Sequence, residues 1–329
     1  MQSEPSLLAT PLRVVFMGTP AFAVPGLTAL LEAQDMVVVG VVTQPDRPSG
    51  RGQQLTPSPI ALLAQAKGVL VFKPERLRAD ASVKKALHDL NADVFVTIAF
   101  GHLLDAEVLA MPRLGTVNVH ASLLPRYRGA NPIQWALLNG ETTTGLTTML
   151  TELGLDSGPM LLTHSEAINP TDTTATLSER LSKASGPLLL TTLRQWALGA
   201  LKPIAQEEAL ATHAPKLTKA QGTLDFTLPA QVVERSLRAL QPWPGATVMA
   251  KLQRVKVLQA TALPAVEWTN DQEFREGRVV GIDSLGVLVQ CGQQTLLRLT
   301  QVHPENRKAM SALDWFRGLS DDVYLKALV

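Results

Sequence analysis

The sequence predicts a doubly wound α/β domain, mostly parallel and Rossmann-like, followed by a small OB-like β-barrel. Three observations predict it. The first part of the chain alternates short apolar runs with helical patterns, the signature of strand–helix–strand units. Those runs, such as M-V-V-V-G-V-V at 36–42, are apolar at successive positions, as parallel strands covered on both faces are. The last part changes to short strand-like runs with turn residues between them, which suits a small closed antiparallel sheet.

The elements follow in order. R-V-V-F-M at 13–17 reads as the first strand, with Gly18-Thr19-Pro20 and a helix over 21–33 behind it. Residues 36–42, 69–72, 93–99 and 116–120 read as the next four strands, with helices near 58–67 and 82–90. Pro132 opens a helix to 138, a position where its missing amide costs nothing. Residues 145–151 read as another strand, and 173–199 as a long helix with Gly199 as its C-cap. Composition changes over 200–222, and the linker is placed at 208–222, between a domain at 1–207 and a second at 223–329. The second domain opens with a helix over 229–239. Strands follow at 246–250, 254–259, 278–282, 286–290 and 295–300, and a short closing helix over 310–318.

Composition narrows the class. With 46% hydrophobic and 18% charged residues, 329 residues can bury a large core. A net charge of +1 gives no global basic bias, although residues 211–329 hold 14 Lys and Arg against 11 Asp and Glu. The single Cys291 excludes an internal disulfide or a Cys-cluster metal site and fits a small buried hydrophobe in a reducing compartment. The N-terminus has no basic segment followed by an apolar core, so no secretory signal is read, and no apolar run is long enough to span a bilayer. A cytoplasmic protein with no membrane partner is expected. G-x-G-x-x-G is absent after the first strand, which argues against a dinucleotide enzyme despite the fold.

The chemistry concentrates at 115–130, G-T-V-N-V-H-A-S-L-L-P-R-Y-R-G-A. Asn118 and His120 lie two apart on a strand and therefore on one side of it, at its carboxyl end, where open α/β sheets bind ligands. An amide can hold a developing oxyanion and an imidazole can move a proton, a pair suited to acyl-type transfer. The missing carboxylate is available at Asp156, in the turn E-L-G-L-D-S-G, where a plain turn Asp is the competing reading. The loop 43–59 carries four prolines and only two basic residues, Arg47 and Arg51. It is long enough to read as functional, a solvated loop being the alternative. His102, next to the predicted pocket, reads as a surface or satisfied polar group with ligand contact the alternative, and Trp243, between two prolines, as a packing anchor at the domain junction rather than a base-stacking platform.

N-V-H-A-S-L-L-P-R-Y-R-G-A at 118–130 with G-L-D-S-G at 154–158 resembles the 10-formyltetrahydrofolate-dependent formyltransferases. M-G-T-P at 17–20, T-Q-P-D-R-P-S-G-R-G at 43–52, M-P-R-L-G at 111–115, Q-P-W-P-G at 241–245 and K-A-M-S-A at 308–312 are similar to the branch acting on methionyl-tRNA. The resemblance covers nearly the whole chain. It implies a catalytic trio of Asn118, His120 and Asp156. It implies a folate site lined by Ser122, Leu123, Leu124 and Pro125, with Phe100 and Gly101 as the other wall. It implies tRNA contacts at Arg47 and Arg51, although Gln53 and Gln54 stand where many relatives carry lysine. Along the barrel it makes Lys216, Lys219, Lys251, Arg254, Lys256, Arg307 and Lys308 candidates.

The reaction implied moves the formyl group of 10-formyltetrahydrofolate, the co-substrate, to the free amino group of initiator methionyl-tRNA for translation initiation. Asn118 and protonated His120 would donate to the tetrahedral oxyanion, and Asp156 would hold His120 charged and oriented. No metal and a monomeric enzyme are expected. Alternatives are transfer to a small amine, hydrolysis of the formyl donor, or a tRNA-binding module without activity. Steep salt dependence of binding separates a tRNA partner from a small acceptor.

Overall fold

A computed structural model of the chain describes residues 8–49, 54–264, 274–319 and 323–326. Arg51 and Gln53 lie outside the described residues. The chain divides into two compact units: 1–132, 143–167 and 178–215 form one, and 133–142, 168–177 and 216–329 form the other.

The first unit begins β1 (Leu12–Gly18), α1 (Val24–Glu32), β2 (Met36–Val42), then a short antiparallel pair, β3 (Arg47–Ser49) and β4 (Gln54–Thr56). It continues α2 (Pro59–Ala66), β5 (Val71–Phe72), α3 (Ala81–Asp89), β6 (Val94–Ile98), α4 (Ala106–Leu109) and β7 (Thr116–His120). α5 (Pro132–Leu138) lies almost wholly in the second unit; β8 (Thr143–Leu150) and β9 (Met160–Ala167) return to the first, as does α6 (Thr174–Ala197) from Ser178 on. The sheet order is β5-β2-β1-β6-β7-β8-β9. The first five strands are parallel, β8 runs antiparallel to β7, and β9 antiparallel to β8. The order reverses between β1 and β6, the switch point at whose carboxyl side such folds bind ligands. Phe16, Met17, Phe95 and Ile98 are fully buried at the sheet's centre. Each large apolar side chain so buried is worth about 1.5–3 kcal/mol.

Local signals set the helix starts. Ser58 caps α2, its hydroxyl accepting from the Ala61 amide at 3.0 Å, with Pro59 at the first position. Asp80 caps α3 in the same way through the Val83 amide. The strand β9 has no counterpart in the sequence pattern. It ends the sheet, pairing with β8 and otherwise only through a bridge from Met160 to Ile204, and it exposes His164 and Glu166 partly, so its apolar signal is weak.

The second unit holds α7 (Ala230–Leu240), β10 (Thr247–Ala250), β11 (Gln253–Leu263), β12 (Val279–Ile282), β13 (Val287–Cys291), β14 (Thr295–Pro304), β15 (Met310–Ser311), α8 (Ala312–Arg317) and β16 (Leu325–Lys326). Its antiparallel sheet runs β12-β13-β14-β11-β10-β16. The two ends of that path meet: the Val279 amide donates to Val323 and the Leu325 amide to Gly277. The sheet therefore curls into a small barrel. Ala230, Val233, Leu237 and Leu240 recur along one face of α7, and the first three pack with Val255, Val257, Leu297 and Leu299. Cys291 lies in this core, where burial pushes its thiol up to about 12. Trp243 is not a buried anchor; 46% of it is exposed. Among the described residues, no helix is long and apolar enough to cross a membrane.

Candidate active site

Residues Thr116–His120 form β7, and Asn118 and His120 on it are held by different partners. Asn118 sits beside Thr97 of β6 in register. The Thr97 hydroxyl donates to Asn118 Oδ1 at 2.8 Å. That bond fixes the amide and leaves Nδ2, with its two protons, directed away from Thr97. Thr97 is the one hydroxyl in the apolar run D-V-F-V-T-I-A, a signal that could have found it.

His120 is 6% exposed. Its Nε2 lies 2.8 Å from the Tyr127 carbonyl oxygen, which can only accept, so Nε2 carries a proton and donates. Its Nδ1 lies 3.7 Å from Asp156 Oδ2. Both ring nitrogens thus face acceptors. Tyr127 presents its carbonyl from a left-handed backbone, φ 63°, and its own amide donates to Thr212 Oγ1 at 2.9 Å.

Asp156 is also left-handed, at φ 48°, a conformation a short acidic side chain tolerates better than most. Its Oδ2 accepts from the Gly129 amide at 2.9 Å. Gly129 is at φ 119°, and a Cβ there would lie 2.8 Å from the Ala214 carbonyl oxygen, so only glycine brings this amide to the carboxylate. The Asp156 turn is tied from outside as well. Gln206 Nε2 donates to the carbonyls of Asp156 at 2.8 Å and Gly158 at 2.7 Å. Arg128 Nε donates to Gln206 Oε1 at 2.9 Å, and its Nη1 reaches Glu208. Residues 212–214, in the segment read as linker, run against 125–131: the Arg128 amide donates to the Thr212 carbonyl and the Ala214 amide to the Arg128 carbonyl. Nothing in the local pattern marks these long-range contacts.

The turn after His120 is built on itself. Ser122 is fully buried and its hydroxyl donates to the Arg126 carbonyl at 2.6 Å. Thr147 Oγ1 donates to the Ser122 carbonyl and accepts from the Leu124 amide. The Ser122 hydroxyl is therefore spent inside the turn. Leu124 is buried, whereas Leu123 and Pro125 are partly exposed.

After β6 the chain turns through Ala99 and Gly101, both left-handed. Phe100 is buried in the core beside Val15 and Phe95, while Ala99 and Gly101 on either side of it are exposed. His102 is half-buried and not satisfied. Its ring packs on Phe100 at 4.8 Å, its Nδ1 has no hydrogen-bond partner among the described residues, and burial holds it below the usual imidazole range.

Arg47, on β3, pairs with Glu75 at 3.1 Å, both well exposed. In the second unit all seven basic candidates are exposed. Arg254 and Lys256 point outward on β11 between the buried Val255 and Val257. The Glu305 amide donates to the Arg254 carbonyl, which brings Arg307 and Lys308 to the same end of the barrel as Lys251. No group of three or more His, Cys, Asp or Glu among the described residues could hold a metal ion.

Both parts of the chain have known relatives. Residues 12–193 match the formyl transferase family, and residues 216–320 match the formyl transferase C-terminal domain. A methionyl-tRNA formyltransferase of Synechococcus elongatus is 46% identical over 320 residues, 94% of this chain and 97% of its own. The fold is shared with an N-formyltransferase of Helicobacter canadensis solved with folinic acid and dTDP-3-aminofucose, at a TM-score of 0.65 and 15% identity over 88% of this chain and 98% of that one. HypX of Aquifex aeolicus, solved with tetrahydrofolic acid, overlays at a TM-score of 0.58 with 15% identity, covering 93% of this chain and 47% of its own.

Proposed function

The chain belongs to the formyl transferase family, and we propose from that premise that it transfers the formyl group of 10-formyltetrahydrofolate to the free amino group of initiator methionyl-tRNA. The observation that carries the site is the convergence of Asn118, His120 and Asp156, from one strand and a turn 36 residues beyond it, at the carboxyl end of β7. In the transfer, the amine nitrogen bonds to the formyl carbon and the bond from that carbon to N10 breaks. The amine gives up a proton and N10 takes one.

Asn118 Nδ2 is the donor for the oxygen that becomes negative as the amine attacks. One such donor is worth about 2.7–4 kcal/mol. His120 acts through Nδ1, since Nε2 is committed to the Tyr127 carbonyl. A proton arriving at Nδ1 meets the Asp156 carboxylate, which supports a proton-holding role for the pair. Leu123 and Pro125 would meet the folate with side chains, Ser122 and Leu124 mainly through backbone, opposite the Phe100-Gly101 turn. The unpartnered His102 Nδ1 suits a polar group of a bound pterin.

Residues 1–207 form the catalytic domain in this reading and 208–222 the linker. Residues 223–329 form an OB-like barrel that binds tRNA, with Lys251, Arg254, Lys256, Arg307 and Lys308 facing the phosphates. Arg47 and Arg51 meet the tRNA from the loop. The enzyme works as a monomer in the cytoplasm, where charged tRNA and reduced folate are found.

The test is formyl transfer from 10-formyltetrahydrofolate to charged initiator tRNA, wild type against His120→Ala. Transfer lost in the variant supports acceptor and site together. Folate deformylated without tRNA, and no transfer, would mean a hydrolase. Transfer surviving in the variant would leave the acceptor right and the mechanism wrong.

A further inference from the structure

We infer that Gln206 is a positioning residue for the transfer: a clip that sets the Asp156 turn against His120, and is itself set by Arg128. This inference rests on the catalytic reading of Asp156.

Asp156 has no regular element under it. Its carboxylate lies 3.7 Å from His120 Nδ1, while its backbone sits in a left-handed conformation that ordinary turns do not enforce on a non-glycine residue. Two anchors hold it there. One is inside the crevice, the Gly129 amide on Oδ2. The other is Gln206, whose two amide protons are both used, on the carbonyls of Asp156 and Gly158. Bridging two carbonyls two residues apart fixes the direction of the peptide between them. Only the NH2 end of the glutamine can meet two carbonyls, and Arg128, donating to its oxygen at 2.9 Å, holds the amide in that orientation from the other side. Arg128 is 4% exposed and also paired with Glu208, so it does not swing. The order of control is Arg128, then Gln206, then the Asp156 turn, then the distance to His120. Gln206 touches no reacting atom in this arrangement. Displacement of a catalytic group by about 1 Å costs up to about 100-fold in rate.

The experiment compares Gln206→Leu and Gln206→Glu with wild type, each also in an Asp156→Ala background. Gln206→Glu keeps size and the acceptor for Arg128 but places oxygen against two carbonyls. Both variants should lose about 100-fold in kcat, with KM for the folate donor unchanged and the melting temperature retained. In the Asp156→Ala background neither should lower the residual rate further. Amide exchange across 152–158 should quicken in both single variants. A full rate in Gln206→Glu, or an equal loss with Asp156 absent, would overturn the clip. Wild-type enzyme that transfers nothing to methionyl-tRNA would sink the acceptor reading instead, and the exchange rates at 152–158 would still decide the clip.

Discussion

The Thr97 hydroxyl donates to Asn118 Oδ1 at 2.8 Å across the β6–β7 pairing, and so decides which end of the amide faces the crevice. Without it the amide could turn its oxygen outward, toward the place where negative charge develops. Asn118→Ala is expected to lower kcat by about 10²–10³. Thr97→Val keeps the shape of the strand and removes only the hydroxyl. It should cost less, on the order of tenfold, as expected for loss of one hydrogen bond. Initial rates at saturating donor check both, and an unaffected Thr97→Val would remove the hydroxyl from the mechanism.

Asp156→Asn retains an oxygen for the Gly129 amide but removes the charge facing His120 Nδ1. The turn should keep its conformation while proton handling fails. A drop in kcat of about 10²–10⁴ is expected, the range for a positioned acid–base group. Gly129→Ala should fail through geometry instead, since the added carbon meets the Ala214 carbonyl. Rates measured beside melting curves separate the two causes: the Asn variant keeps its stability and the Ala variant does not.

Arg47 pairs with Glu75 on the surface, with 60% and 70% of their side chains exposed. Exposed pairs are worth about 0–1 kcal/mol and give way readily to a phosphate. Arg47→Ala is expected to weaken tRNA binding and to reduce the slope of log K against log salt by about one. Glu75→Ala should leave affinity equal or better. Filter-binding across a salt series reads both, and an unchanged slope in Arg47→Ala would place this arginine off the tRNA.

Asp35 is buried, and Arg194 near the end of α6 grips it with two bonds of 2.8 and 2.9 Å. The Arg194 guanidinium holds its carboxyl below the ordinary value of 3.8. A carboxyl depressed in the folded state stabilises fully above its unfolded value, and that stability is lost as pH falls through the folded one. Melting temperature should therefore fall as pH drops below about 4, and part of that fall should vanish in Asp35→Asn. At neutral pH the same variant removes the charge facing Arg194 and should cost about 3 kcal/mol. A variant as stable as wild type at pH 7 would contradict this account.

Much of this protein was legible in its residues. The parallel core strands announced themselves as unbroken apolar runs, and alternation along β7 set Asn118 and His120 on one side at its end. Turn residues around Asp156 marked a carboxylate free of regular structure. Periodicity also found α7, whose apolar face repeats every three or four residues. These are short-range properties, fixed by backbone geometry within a few residues.

The tertiary structure decided the rest. That His120 Nε2 is bound to Tyr127, that Ser122 spends its hydroxyl inside the turn, and that Gln206 and Arg128 hold the Asp156 turn all depend on hydrogen bonds in a completed fold. Gln206 is 50 residues from Asp156 and 78 from Arg128. No period or local propensity spans such separations. Which donor meets which carbonyl is settled only when the sheet has brought distant turns to one edge and burial drives the polar groups there toward partners.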